Sequence, residues 1–384
     1  MNSLENKKIL VLYTAHTLGH QRIAENIGYW LTQSHAQVEL REVLKSNPSP
    51  AVHYFLKVHV WVNTHAPWFW KFLYLWGFWV TMMPLRLPVA WFQRVEIEKC
   101  IADFSPDVVI TTQTSPSAVV SMLKRANIYT GLWGIAFSDY HFHRGWVYPR
   151  TDFYLTNIES QVEQLKRLGV QPQNIFRVGF ALPPVVVPAA VQVKERLGIP
   201  LSAKVLLVGS GSLGVRLPTG LLAVCDQVVA TLRAKEIECR VVVACGRSAE
   251  VLEELRDAQK QRAWLVPLSF YSPMVELYAA ADLFMTKPGG LSVAEAGQIG
   301  LPMVVTHTLP GQEDLNLLYL EGRGYVTSLV HVPQGQWASR IAELVLGGQS
   351  LQPDPQEFRD VLAPQSLNTL GQFVAGCFIK ISHG

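Results

Sequence analysis

The stretch Met285-Thr286-Lys287-Pro288-Gly289-Gly290-Leu291-Ser292-Val293-Ala294-Glu295-Ala296-Gly297-Gln298-Ile299-Gly300-Leu301-Pro302-Met303-Val304-Val305-Thr306-His307-Thr308-Leu309-Pro310-Gly311-Gln312-Glu313-Asp314-Leu315-Asn316 decides the fold. A short apolar run, Leu283 to Met285, is cut by Pro288-Gly289-Gly290. Leu291 to Gln298 then has helical composition until Gly300 and Pro302 stop it. That order is strand, glycine turn, helix. A helix opening on a glycine turn leaves backbone N–H groups unpaired at its positive end, so it can receive a diphosphate without an obligatory lysine. Glu295 falls about one turn into the helix, where a carboxylate can accept hydrogen bonds from two ribose hydroxyls of a nucleotide whose phosphates lie at the helix start. After a second strand, Met303 to Thr306, the loop Pro310-Gly311-Gln312-Glu313 and Asn316 brings three polar side chains to the same edge.

Thr286 to Glu295, followed by Pro310-Gly311-Gln312-Glu313 and Asn316, resembles the donor-binding half of the diacylglycerol glycosyltransferases. These are the monogalactosyl- and glucosyl-diacylglycerol synthases; the peptidoglycan lipid-I N-acetylglucosaminyltransferase is a more distant relative. The resemblance implies that Glu295 holds the ribose of a UDP-sugar, that Gln312 and Glu313 hold hexose hydroxyls, and that Pro288, Gly289, Gly290, Leu291 and Ser292 cradle the diphosphate. The alternative for these residues taken singly is a helix cap followed by a surface loop.

The chain of 384 residues is long enough for two domains. Charged residues are 16% of it, below the roughly 25% of an average soluble domain, and the deficit is local. Between Glu42 and Glu96 there is no Asp or Glu, while Lys45, Lys57, Lys71, Arg86 and Arg94 are present. A net charge of +3 is too small to argue for nucleic acid. The five cysteines form no Cys-x-x-Cys pair and read as reduced thiols. There is no signal-peptide pattern and no apolar run of the ~18 residues a membrane span needs. The expectation is a cytoplasmic protein without a span.

Lys8 to Tyr13 reads as a buried parallel strand and Gln21 to Gln33 as the helix after it. The turn Thr14-Ala15-His16-Thr17-Leu18-Gly19-His20 closes on a Gly-His pair, as in the resembled family, whose histidine is the proposed base; Ala15 to Leu18 depart from the family's glycine-rich pattern. A helix N-terminus disfavours imidazolium, so His20 there tends to stay neutral and able to accept a proton. The other reading of His20 is an N-cap or packing residue. Asp107 to Thr112, Thr130 to Ser138, Asp152 to Leu155 and Asn174 to Val178 read as further strands, with a helix from Thr114 to Lys124; this alternation implies a parallel sheet with crossover helices. The segment Ser138-Asp139-Tyr140-His141-Phe142-His143-Arg144-Gly145-Trp146 resembles the family's Thr-Asp element, and Asp139 reads as a group orienting His20, as an acceptor ligand, or as a loop cap.

Ala51 to Phe92 holds six of the chain's 11 tryptophans, among them Trp68, Trp70, Trp76 and Trp79. Its uncharged core, Phe72 to Leu85, is 14 residues and too short to span a bilayer. Tryptophan with Lys71 and Arg86 and without acids suits the headgroup region of an anionic membrane. A large aromatic core under a long insertion is the alternative.

Ala181 to Pro200, with four prolines, reads as a linker. Beyond it Lys204 to Val208 starts a second sheet and runs into Gly209-Ser210-Gly211-Ser212-Leu213-Gly214. This is a literal Gly-x-Gly-x-x-Gly. The rest of a dinucleotide fingerprint is missing, because Pro218-Thr219-Gly220 interrupts before a helix opens and the strand Arg240 to Ala244 ends in Cys245-Gly246-Arg247 where an acid should meet ribose. Gly209, Ser210, Gly211 and Ser212 therefore read as a phosphate-facing or acceptor-facing turn, as in the resembled family. After Trp264 to Leu268, the turn carrying Phe270 and Met274 is similar to the family's base-binding turn; Arg247 is grouped with the donor site.

The resemblance implies an α/β protein with two Rossmann-like domains facing across a cleft, the glycosyltransferase B architecture. Residues 1–190 would be the acceptor and membrane domain, 191–355 the UDP-sugar domain, and 356–384 a helix crossing back. The implied reaction is inverting transfer of glucose or galactose from a UDP-hexose to diacylglycerol, with His20 as base, at the inner face of the cell membrane. The UDP-sugar is a co-substrate; no cofactor, metal or nucleic acid is expected. A polyprenyl-linked acceptor, or a catalytically silent UDP-sugar-binding membrane module, are the competing expectations.

Overall fold

The computed structural model describes residues 4–14, 18–43, 58, 61–62, 66–72, 83–209, 218–309 and 311–347. Ser210, Gly211, Ser212, Trp76, Trp79 and the expected helix in 356–384 lie outside the described residues, as do the side chains of Trp70 and Arg86. Contacts divide the chain into two compact units, the first running to Pro183 and the second starting at Pro184.

The first unit is built from β1 (Lys8–Tyr13), α1 (Leu18–Gln33), β2 (Gln37–Glu42), α2 (Pro67–Phe72), α3 (Met83–Phe104), β3 (Val108–Thr111), α4 (Thr114–Arg125), β4 (Leu132–Ala136), β5 (Phe153–Thr156), α5 (Glu159–Arg167) and β6 (Ile175–Arg177). Its six-stranded sheet has the order β2-β1-β3-β4-β5-β6, and every pairing is parallel. The central strands are short apolar runs buried at every position, as β3 (VVIT) and β4 (LWGIA) are, because helices cover both faces of a parallel sheet. β2 (QVELRE) is the exposed edge and carries no such run, so the sequence did not announce it. Gly134 in β4 is held by contact: a Cβ there would fall 2.1 Å from the Phe153 ring.

The second unit comprises α6 (Ala190–Arg196), β7 (Lys204–Gly209), α7 (Leu221–Arg233), β8 (Cys239–Ala244), α8 (Ala249–Gln259), β9 (Leu265–Leu268), α9 (Met274–Ala280), β10 (Leu283–Thr286), α10 (Gly290–Gln298), β11 (Met303–Val305), α11 (Gln312–Gly322), β12 (Thr327–Ser328) and α12 (Trp337–Val345). The strand order is β12-β11-β10-β7-β8-β9, again parallel throughout. Apolar residues of α7 and α12, among them Val228, Leu232, Ile341 and Val345, pack on Val241, Val243 and Leu265 in one buried cluster.

Two sequence expectations change here. The segment Ala181 to Pro200 is not linker throughout, because α6 lies within it and packs on α9. Gln312, Glu313 and Asn316 sit on α11 rather than in a loop; the loop ends at Gly311, whose φ of 88° only glycine adopts readily.

Candidate active site

In a doubly wound sheet the crevice opens at the carboxyl ends of the strands where the order reverses. In the first unit that point lies between β1 and β3. His20 sits there in the first turn of α1, inside the helix rather than just before it, since α1 opens at Leu18 and not at Gln21 as the sequence pattern suggested. Thr112, just past β3, donates from Oγ1 to the His20 carbonyl at 3.2 Å and fixes that turn to the sheet edge. The Nδ1 atom of His20 is buried with no hydrogen-bond partner. Burial pushes its pKa below the ordinary 6.5, and the nearby Asp139 carboxylate and the Thr112 backbone oppose that push. The ring is therefore neutral near pH 7 and free to take a proton. Trp146 stands beside it, ring centroids 6.5 Å apart, and is itself braced edge-on by Phe137 at 5.5 Å.

Asp139 follows β4 and is held from behind. Its carbonyl accepts from Asn157 Nδ2 at 2.9 Å and Gln161 Nε2 at 2.8 Å, and its carboxylate accepts from Ser138 Oγ at 3.0 Å. The loop is anchored through the backbone. The carboxylate charge also acts through space on His20 and on His141, whose pKa is likewise lowered by burial and raised in part by Asp139.

In the second unit the reversal lies between β7 and β10. β7 ends at Gly209, where a Cβ would come within 2.9 Å of the Phe284 ring. A glycine there lets the end of β7 lie flush against β10. β10 runs into Lys287-Pro288-Gly289, and α10 opens at Gly290 with Gly289 as N-cap and no side chain capping it. The first amides of α10, at Gly290, Leu291 and Ser292, lie at the positive end of the helix, and Gly289 offers no side chain to cap them. Glu295 is half-buried in the second turn.

The sequence reading missed Lys287. The Lys287 Nζ lies 3.9 Å from where a Gly289 Cβ would stand, so its ammonium sits against the mouth of α10. Glu313, 26 residues on, forms an ion pair with it through Oε1 and accepts the Leu309 amide at 2.7 Å through Oε2. Asn316, fully buried one turn further along α11, donates to the Pro288 carbonyl at 3.1 Å and holds the turn in place. Burial, and next the Lys287 charge, bring His307 down to about 4. The signal for Lys287 was the Thr286-Lys287-Pro288 tripeptide itself. The pairing with Glu313 is tertiary and leaves no local mark.

At the far side of β7, the Arg247 guanidinium lies over the exposed Phe270 ring at 5.1 Å, which joins the loops after β8 and β9. Met274 is half-buried at the start of α9. In the aromatic stretch, Trp68 is 73% exposed on α2, with Phe72 at 57% and Trp61 at 57%. Lys71 is exposed on the same helix. No helix among the described residues is long and apolar enough to cross a membrane, and no group of three or more metal-ligating side chains occurs among them.

Two parallel, doubly wound sheets define a protein of the glycosyltransferase B fold, and solved structures agree. The structure of Medicago truncatula UGT71G1 complexed with UDP-glucose superimposes with a TM-score of 0.59 at 13% identity, covering 100% of this chain and 99% of that one, a likeness that speaks for the fold alone. Family models then separate this chain from the wider class: residues 20–182 match monogalactosyldiacylglycerol (MGDG) synthase, and residues 205–329 match the glycosyltransferase family 28 C-terminal domain. The chain thus carries, in that order, a domain similar to MGDG synthase and a domain similar to the family 28 C-terminal domain. The processive diacylglycerol beta-glucosyltransferase of Bacillus subtilis is 27% identical over 228 residues, 58% of this chain and 57% of the relative. The Bacillus cereus enzyme of that name is 24% identical over 333 residues, 84% of this chain and 81% of the relative. The chain thus spans under two thirds of the length of the first of these relatives in the matched region.

Proposed function

We propose that this protein transfers a hexose from a UDP-sugar to the free hydroxyl of diacylglycerol, with inversion at the anomeric carbon. The observation that carries the reading is the carboxyl edge of the second sheet. There an ammonium, a helix start with a glycine N-cap and a half-buried carboxylate follow one another at Lys287, Gly290 and Glu295. From the loop after β9 to the loop after β11 is four strand spacings, about 19 Å at 4.8 Å each. A nucleotide sugar laid along it puts uracil near Phe270 and Arg247, diphosphate at Gly209 and α10, ribose at Glu295, and hexose at Gln312 and Glu313. Glu313 keeps lone pairs for a hexose hydroxyl after serving Lys287 and Leu309.

Charge develops on the β-phosphate as the glycosidic bond breaks. The α10 amides and Lys287 are aimed where that charge appears, and this lowers the barrier because the dipoles are already oriented. Neutral His20 removes the acceptor proton as the lipid oxygen attacks, and Asp139 favours the imidazolium that results. Exposed Trp68, Phe72 and Lys71 favour docking on an anionic lipid surface, with the protein on the inner face of the cell membrane. No metal is needed in this scheme.

The test is incubation with vesicles containing diacylglycerol and either UDP-glucose or UDP-galactose, followed by mass detection of hexosyl-diacylglycerol. Product from one donor supports the reading and fixes the hexose. Tight UDP binding with no transfer to diacylglycerol, and transfer instead to a polyprenyl-linked sugar, would replace the acceptor.

A further inference from the structure

Gln93 lies in α3 at 1% exposure, yet neither end of its carboxamide has a hydrogen-bond partner. A buried amide left unpaired on both sides is costly and uncommon in a folded protein, so its location is informative. At the C-terminal end of α3 the Phe104 carbonyl accepts from Lys8 Nζ at 3.3 Å, which places that end beside the start of β1. Ile97, Cys100 and Ile101 pack with Leu10, Leu12 and Val119, so the helix runs back along β1 toward its carboxyl end. From Phe104 to Gln93 is eleven residues, on the order of 16 Å of helix, and β1 from Lys8 to Tyr13 rises about the same distance. Gln93 therefore reaches the sheet edge at the level of Tyr13 and Thr14, on the same face as Ile97 one turn on. That is the edge where His20 Nδ1 is also buried without a partner. Two orphaned polar side chains thus meet the same end of one unit, at its topological switch point.

We propose that Gln93 is an acceptor-binding residue: its carboxamide donates to and accepts from the polar head of the acceptor lipid, the glycerol hydroxyl and ester carbonyl that His20 also addresses. This rests on the transfer reaction proposed above for the acceptor's identity. A glycerol backbone with one hydroxyl and two esters offers both a donor and acceptors, which a carboxamide matches and a carboxylate or ammonium would not. The bound lipid supplies the hydrogen bonds that the protein withholds. In its absence the residue is a burden on the fold.

The experiment compares wild type with Gln93→Leu and the near-isosteric Gln93→Met, using dioctanoylglycerol as probe. Its binding without donor is followed by tryptophan fluorescence, its turnover with UDP-hexose gives KM and kcat, and UDP affinity and melting temperature are recorded alongside. The expected result is a melting temperature equal to or above wild type, unchanged UDP affinity, and dioctanoylglycerol binding and KM weakened about tenfold, with kcat changed less. Variants that are stabilised but bind and turn over dioctanoylglycerol as wild type does would make Gln93 a frustrated core residue and overturn the proposal, as would a wild type that does not bind the probe. Wild type that binds dioctanoylglycerol, with the variants weakened, but transfers no hexose to it would leave the Gln93 site standing and remove the proposed reaction.

Discussion

At the start of α1 His20 has Nδ1 buried and unpartnered and a lowered pKa, and the base role proposed for it makes a kinetic demand that a packing role would not. Replacing His20 by Ala should lower kcat by roughly 10²–10⁴ while UDP affinity holds, because general-base catalysis contributes about that much. The acid limb of kcat/KM should lie below pH 6.5, since burial lowers the His20 pKa from that value. A variant with wild-type turnover would move the base to Asp139. Glu295→Ala should weaken UDP binding measured by calorimetry by about tenfold or more, as charge-assisted hydrogen bonds to ribose are lost. His307 gives a separate, structural prediction. Its pKa is about 4 in the folded chain and about 6.5 unfolded, so in that window the unfolded chain binds a proton that the folded chain does not. Stability should fall as pH drops from about 6.5 to 4, by up to about 3 kcal/mol. Urea titrations of wild type and His307→Gln at pH 7 and pH 4 should show the variant losing less.

At the scale of elements, the turn between β10 and α10 is where sequence and structure agree most closely, since a glycine turn between an apolar run and a helical run is a local signal. Interactions that close over long sequence separations were not legible. Asn316 reaching Pro288 and Glu313 reaching Lys287 depend on α11 lying beside the turn, and nothing in either segment alone declares it. The edge strand β2 was missed because its exposed face carries polar residues, and Gln93 because an unpaired amide is visible only once its surroundings are known. Gly209→Ala tests the closeness of β7 to β10. Phe284 is 1% exposed and braced by Tyr278 at 5.2 Å, so its ring has little room to yield. The substitution should cost about 1–3 kcal/mol, typical of overpacking, and should weaken UDP binding as the end of β7 is displaced.

Over the whole molecule, two doubly wound sheets divide the work. In the proposed reaction the first unit would supply the base and the acceptor edge, and the second the donor edge. The membrane attachment proposed for α2 should be separable from chemistry: Trp68→Ala should weaken co-sedimentation with anionic vesicles and leave melting temperature unchanged, because a side chain 73% exposed has little packing to lose. Added salt should weaken wild-type binding as well, since each basic residue near an anionic surface contributes on the order of 1 kcal/mol. The measurement that bears most directly on the account is proton NMR of the anomeric centre during turnover of UDP-hexose with dioctanoylglycerol, run with wild type and His20→Ala. The account predicts a β-linked hexosyl-diacylglycerol as the first product from the α-linked donor, formed by wild type and nearly absent with the variant. An α-linked product, or hexose released to water with no lipid product, would contradict it.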